Sequence, residues 1–244
     1  MPRIFIGGGQ DYWGETAERD KHVIEGVAVH LFNQLGNSVE IVTGGMQGIP
    51  NDFAVAWTRV GGRHVLCVVS SEHEEAFLQT KPCAFKHIIL GETQTQRRLS
   101  LTKLERIKCA LFIQGGKFST HEMQLFEERQ IPIVTHWGSG GAAGGGQPYE
   151  GYAYSKMPQS PVLQSTDPSL NPIDIALAIA YEIRKILDTD ADQACGCEGK
   201  RKNERRCHRC QGLCCDGCIC YSISSSLGPF VCHACCTKEE CPDK

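Results

Sequence analysis

The first 190 or so residues predict an α/β fold built on a doubly wound parallel sheet, and the last fifty predict a small cysteine-rich zinc-binding domain. Three observations carry this. Short apolar runs that end in glycine alternate with amphipathic stretches. Those runs are continuously apolar rather than alternating, as strands buried on both faces are. And twelve of the fifteen cysteines fall between Cys195 and Cys241.

Taken in order, Arg3–Ile6 is the first expected strand, ending at Gly7-Gly8-Gly9. Val39–Thr43 follows, ending at Gly44-Gly45-Met46-Gln47-Gly48. His64–Val69, His87–Leu90, Cys109–Ile113 and Ile133–Thr135 complete a set of six. The last three run into Gly91, Gly115-Gly116 and Trp137-Gly138-Ser139-Gly140-Gly141. Between them Glu15–Leu35 reads as a helix, with Val23, Val27 and Leu31 on one face. Gln94–Ile107 and Thr120–Arg129 read as two more. A final helix is expected from the Asn171 cap, with Pro172 in its first turn, to about Leu187. It is apolar almost all round, which predicts burial against the sheet or against a partner subunit, as in a homodimer. Cys67, Cys83 and Cys109 read as core thiols.

Composition divides the chain. Residues 1–194 hold 17 Lys and Arg against 22 Asp and Glu, whereas residues 195–244 hold 8 against 6. This predicts a Rossmann-like domain over 1–188, a linker over 189–194 and the cysteine-rich module over 195–244. The overall charge of -3 is close to neutral, so nothing in it argues for bulk nucleic-acid binding. Six basic residues between Lys200 and Arg209 form a local run that can face phosphates or stand as a solvated loop.

The cysteines come in pairs: Cys195-x-Cys197, Cys207-x2-Cys210, Cys215-x2-Cys218 and Cys232-x2-Cys235. A pair spaced this way grips one tetrahedral Zn²⁺ from a single turn, so four pairs make two complete sites. A segment this short needs either zinc or disulfides to fold. The amino-terminal apolar run is too short for a secretion signal, and no stretch reaches the roughly 18 apolar residues of a membrane span. A cytoplasmic, reducing setting follows, and zinc is expected, at about two ions per chain. Cys214, Cys220, Cys236 and Cys241 are left over.

The glycine-rich loops carry the functional expectation. In an open parallel sheet ligands bind at the carboxyl ends of the strands. Glycine there lets backbone approach a ligand, and a following helix offers free N–H groups to phosphate. An anionic, nucleotide-derived ligand is expected. There is no Walker A lysine motif, and Gly7-Gly8-Gly9-Gln10 is not the spaced dinucleotide fingerprint.

Residues 3–145 resemble the SLOG superfamily, which joins the DNA-processing protein A group to the Lonely Guy phosphoribohydrolases. The resemblance rests on Ile4–Gly9, Thr43–Pro50, Gly91–Arg98, Gln114–Glu122 and Gly138–Ala143. It implies a ligand site formed by Gly7, Gly8, Gly9, Thr43, Gly44, Gly45, Met46, Gly48, Thr93, Arg97, Arg98, Gly115, Gly116, Ser119, Thr120, Glu122, Gly140 and Gly141. In the hydrolase branch Glu122 and Arg97 or Arg98 fall on the residues that hold the sugar phosphate and assist cleavage of the bond to the base. Here Gln114 stands for a proline, Phe118 for a glycine and Ser119 for a threonine, so Phe118 is expected to crowd the phosphate. Ser119-x-x-Glu122 is also a capping box, which is the alternative role for Glu122. Of Arg97 and Arg98, one is expected to face solvent or a salt bridge and the other the ligand. His121 and His136 fall near the site as satisfied neighbours.

Residues 195–244 resemble the FYVE zinc finger. The resemblance implies that Cys195, Cys197, Cys215 and Cys218 hold one zinc and Cys207, Cys210, Cys232 and Cys235 the other. The lipid-gripping motif of that family is present only as Arg205-Arg206-Cys207-His208-Arg209. The chain is therefore expected to be a sensor or binding protein for a nucleotide-derived ligand. Its finger would contact a protein or, weakly, an anionic membrane. The alternative expectations are a nucleotide N-glycosidase and, third, a phosphoinositide adaptor at endomembranes.

Overall fold

The computed structural model describes residues 1–80, 85–101, 103–144, 154, 156 and 158–191, together with four two-residue strands at 205–206, 213–214, 219–220 and 231–232. Two compact units divide between Arg184 and Lys185.

In the first unit six strands form one parallel sheet: β1 (Arg3–Gly8), β2 (Glu40–Thr43), β3 (Val65–Val69), β4 (Lys86–Ile89), β5 (Ile107–Ile113) and β6 (Ile133–Thr135). Their spatial order is β4-β3-β2-β1-β5-β6. The chain therefore winds outward from β1 to β4, returns to the centre and winds outward again through β5 and β6. The fold is α/β and Rossmann-like. β1 pairs on both sides, Ile4 with Ile41 and Cys109, Ile6 with Thr43 and Leu111.

The helices are α1 (Ala17–Leu35), α2 (Ile49–Arg59), α3 (Glu74–Thr80), α4 (Gln94–Leu101), α5 (Lys117–Glu128), α6 (Pro161–Gln164) and α7 (Pro172–Ala191). Successive side chains of a strand point to opposite faces, so β1 feeds two cores. Phe5 meets Phe112 and Phe126 with ring centroids 5.7 and 5.0 Å away, in a cluster that includes Met123 of α5 and Leu101 of α4. On the other side Phe53 stacks with Trp57 of α2 at 6.3 Å, and Phe32 of α1 meets Trp57 edge-on at 5.4 Å.

Local signals account for most ends. α1 stops where Gly36 turns to φ 54° and its N–H closes on Phe32 O. α7 starts where Asn171 Oδ1 accepts the Ile173 N–H at 2.9 Å, with Pro172 in the first turn. α7 then continues to Ala191, into the stretch expected as linker. It buries one stripe, Ile175, Ala176, Ile179, Ala180 and Ile183, and leaves Ile173, Leu177 and Tyr181 exposed. Helices α2, α3 and α6 add to the expected elements. The helix expected over Gln94–Ile107 ends at Leu101, because Arg106 turns to φ 67° and its carbonyl accepts the Arg3 N–H. Leu101, Leu104 and Ile107 repeat at helical spacing, yet they reach one core from a helix, a turn and a strand.

Cys67 and Cys109 are buried thiols, while Cys83 lies outside the described residues. In the second unit β7 (Arg205–Arg206) pairs antiparallel with β8 (Leu213–Cys214), and β9 (Ile219–Cys220) with β10 (Val231–Cys232). Cys195, Cys197, Cys207, Cys210, Cys215, Cys218 and Cys235 lie outside the described residues. Cys232 is placed only by its backbone in β10. Among the described residues no helix is long and apolar enough to cross a membrane.

Past β6, His136 is wholly buried and its Nδ1 accepts the Gly138 N–H at 3.3 Å. Burial, reinforced by the nearby Arg19 guanidinium, pushes its pKa down to about 4. The native state therefore keeps this ring neutral where the unfolded chain protonates it. Its contribution to stability is full above pH 6.5, declines as pH falls, and is gone below about 4. The loss amounts to about 3 kcal/mol. His136→Asn, which keeps an acceptor near the Nδ1 position, should remove most of this slope. Urea midpoints measured between pH 7 and 4.5 check it.

Candidate functional site

The order of the sheet reverses between β1 and β5, and a cleft of about 520 Å3 opens beside their carboxyl ends. Gly7, Gly8 and Gly9 border it from β1, with Gln10, Asp11 and Trp13 from the loop beyond. Gly44 and Met46 border it from the loop after β2, and Gly115, Gly116 and Ser119 from the turn into α5. Arg97, Arg98 and Glu122 are also in its lining.

The loops are held close by backbone. A Cβ on Gly48, whose φ is 81°, would collide with the Gln10 carbonyl, so the loop after β1 can lie against the start of α2. There the Ile49 N–H donates to Gly9 O at 3.0 Å. Gln114, at φ 55°, acts as a clamp. Its Oε1 accepts the Trp13 N–H at 3.2 Å, and its Nε2 donates to Trp13 O and to Asp20 Oδ2. Asp20 is fully buried and also accepts from Thr16 and Arg19. A glutamine where a proline was the reference thus ties the end of β5 to the loop after β1 and to α1.

The charged centre is a buried triad. Arg97 and Arg98, successive residues of α4, are 3% and 4% exposed, and Glu122 of α5 is 7% exposed. Arg97 Nη2 donates to Glu122 Oε1 at 2.7 Å, and Arg97 Nε to Gln94 Oε1 at 2.7 Å. Arg98 Nε stands 3.8 Å from the same Oε1, beyond hydrogen-bond reach, and its guanidinium lies 4.0 Å from the centroid of the Phe118 ring. Burial lowers the Arg98 pKa, an effect that Glu122 opposes and Arg97 reinforces. Gln94 Nε2, Arg97 Nη1 and Arg98 Nε are buried with no hydrogen-bond partner. Unmet donors of this kind each cost about 1–3 kcal/mol, and more when charged.

α5 begins at Lys117 with Gly116 as its cap, and no side chain closes that end. Its first-turn N–H groups and the positive end of its dipole therefore stand at the cleft. This corrects two expectations. Ser119 is inside the first turn, where its hydroxyl donates to Gly8 O at 3.1 Å, so Ser119 and Glu122 do not form a capping box. Neither arginine faces solvent, and Arg97 takes the salt bridge that was one of its expected roles. Phe118 borders the cleft without filling it; its ring is 61% exposed, with Arg98 on one face.

Several expected site residues stand behind the lining. Thr43 Oγ1 accepts the Gly45 N–H at 3.1 Å and is buried. Gly45 backs onto Phe77. Thr93 caps α4 by accepting the Gln96 N–H at 3.3 Å. Thr120 bonds back to Gly116 O. Gly140 and Gly141 lead into the segment whose Ala142 N–H closes on Gly115 O at 2.8 Å. His121 is half-buried and outside the lining, and His136 is structural. Gln94, Trp13 and His73 border the cleft without having been expected there. Gln94 was detectable, since it precedes Arg97 by three residues on one helical face. Trp13 follows the glycine run by only four residues. His73 carried no signal.

No protein-family model matches the chain, and no curated protein matches it. Among solved structures the chain is similar to TM1055, a Northeast Structural Genomics Consortium target. That match has a TM-score of 0.44 and 16% identity and covers 58% of this chain and 77% of that one. It is also similar to DNA processing protein A from Streptococcus pneumoniae, with a TM-score of 0.39 and 14% identity, over 55% of this chain and 49% of that one.

Removing Glu122 would leave two adjacent guanidiniums buried without a carboxylate. Glu122→Ala should cost about 3–5 kcal/mol in denaturant titrations. Added phosphate should restore more stability to this variant than to the wild type, because the anion takes the place of the carboxylate.

Proposed function

We propose that the first unit binds a phosphorylated, nucleotide-derived ligand in the cleft between β1 and β5. The observation that carries the reading is the set of buried, unpartnered donors on Arg97 and Arg98 beside an uncapped helix N-terminus. A phosphate brings the acceptors that such donors lack, in charge-assisted bonds. The glycine backbone of the loops after β1 and β5 leaves room for it. The order of these loops, similar to that of the SLOG superfamily, supports the same ligand class. Sensing or binding is the favoured activity. AMP or ADP-ribose at a hundredfold excess over Kd should stabilise the protein by about 2.7 kcal/mol in thermal unfolding. Arg98→Ala should abolish that stabilisation. An equal rise in the variant would sink the reading.

A second reading, nucleotide N-glycosidase, is favoured by one observation: a carboxylate borders the cleft and both arginines approach its Oε1. A carboxylate held in this way can orient water or a sugar hydroxyl while the bond to the base breaks. Steady release of free base, lost in Glu122→Gln with nucleotide binding intact, would replace the sensor with the hydrolase.

We infer that the second unit is a zinc module. Its four cysteine pairs have metal-ligand spacing, and a segment of this length needs zinc or disulfides to fold, of which the spacing favours zinc. The basic run 200–209 suits it to contact a protein or, weakly, an anionic membrane. Elemental analysis of reduced protein should find about two zinc ions per chain, and chelation should unfold residues 195–244 while the first unit stays folded.

A further inference from the structure

We propose that Phe118 is the stacking platform for the aromatic base of the ligand, and that it selects nucleotides over base-free sugar phosphates. The inference rests on the nucleotide reading above.

Phe118 is the second residue of α5 and borders the cleft. The Arg98 guanidinium covers one face of its ring at 4.0 Å, yet the residue is 61% exposed. A ring with one face covered stays that exposed only if the opposite face is open. An apolar ring held open at the edge of a charged cleft is left without a partner on that face. Of the large apolar side chains that are exposed among the described residues, only Phe118 and Trp13 border the cleft, and Trp13 is 43% exposed.

The guanidinium makes the free face suited to a base. Two electron-rich π faces repel when they stack directly. A cation on the far side of Phe118 draws density away from the near side, so an electron-rich purine meets less repulsion there. The same guanidinium keeps an unmet buried donor, Nε. One nucleotide can therefore engage both groups, with its base on Phe118 and its phosphate on Arg97 and Arg98. Phe118 also holds Arg98 flat, so a role through Arg98 alone has to be separated from stacking.

Calorimetric titration of the full chain with AMP and with ribose 5-phosphate separates them. Wild type should bind AMP more tightly than ribose 5-phosphate. Phe118→Ala should weaken AMP about tenfold or more while ribose 5-phosphate changes by about twofold or less, which removes the preference. Phe118→Trp should keep or raise it. Because the side chain is exposed, the alanine variant should fold, and circular dichroism checks that. Equal loss of both ligands in Phe118→Ala would overturn the proposal and leave Phe118 as a positioning residue for Arg98. Unchanged AMP affinity would also overturn it. Wild type that binds both ligands equally would sink the stacking role but keep the phosphate site. Wild type that binds neither would remove the nucleotide reading and this proposal with it.

Discussion

Everything in the first unit depends on the double pairing of β1. Hydrogen-bonded to β2 on one side and β5 on the other, it is the strand from which the chain winds outward in both directions. The connection after β1 leaves towards β2, and the one after β5 leaves towards β6, which opens a crevice between their carboxyl ends. The cleft is a consequence of strand order. Its place is set by topology, while the glycines at the strand ends and the side chains around them decide how much room it has and what it can hold.

Those side chains are arranged at a cost. Three charged residues are nearly removed from water, and one carboxylate oxygen serves two guanidiniums at 2.7 and 3.8 Å. A buried ion pair of this kind seldom adds net stability, since desolvation offsets most of the attraction. Here the pairing is also incomplete, with donors of both arginines unmet. The rest of the unit has to hold the arrangement in place. The aromatic cluster of Phe5, Phe112 and Phe126 anchors β1, β5 and α5 to one another, and Gln114 with Asp20 locks the loop after β1. A rigid frame around unmet donors is what a preorganised anion site requires, because the ligand then completes bonds without ordering the protein.

Most of the six strands were legible because a parallel sheet buries both faces, which writes a strand as an unbroken apolar run. Glycine closes several of them, although β3 runs into Ser70 and the edge strand β4 keeps Lys86 and His87. α1, α5 and α7 were legible from helical periodicity, and the start of α7 from its Asn171 cap. α2 was not, since its first residues, Ile49 and Pro50, continue a glycine-rich loop and its start depends on the Gly9 carbonyl, forty residues away in sequence. α4 was extended too far because Leu104 and Ile107 mimic a helical stripe while packing from a turn and a strand. Ser119 and Glu122 matched a capping box by spacing alone. The true cap is Gly116, which frees Ser119 for Gly8 and Glu122 for Arg97.

The sequence by itself determined the class of fold, the glycine-lined strand ends and the pairing of the cysteines, because each is a local pattern of burial, backbone freedom or residue spacing. Tertiary structure decided strand order, the burial of both arginines, the exposure of Phe118 and the entry of Trp13 and His73 into the cleft lining. These depend on which segments the sheet brings together, and no interaction within a single window of sequence encodes that.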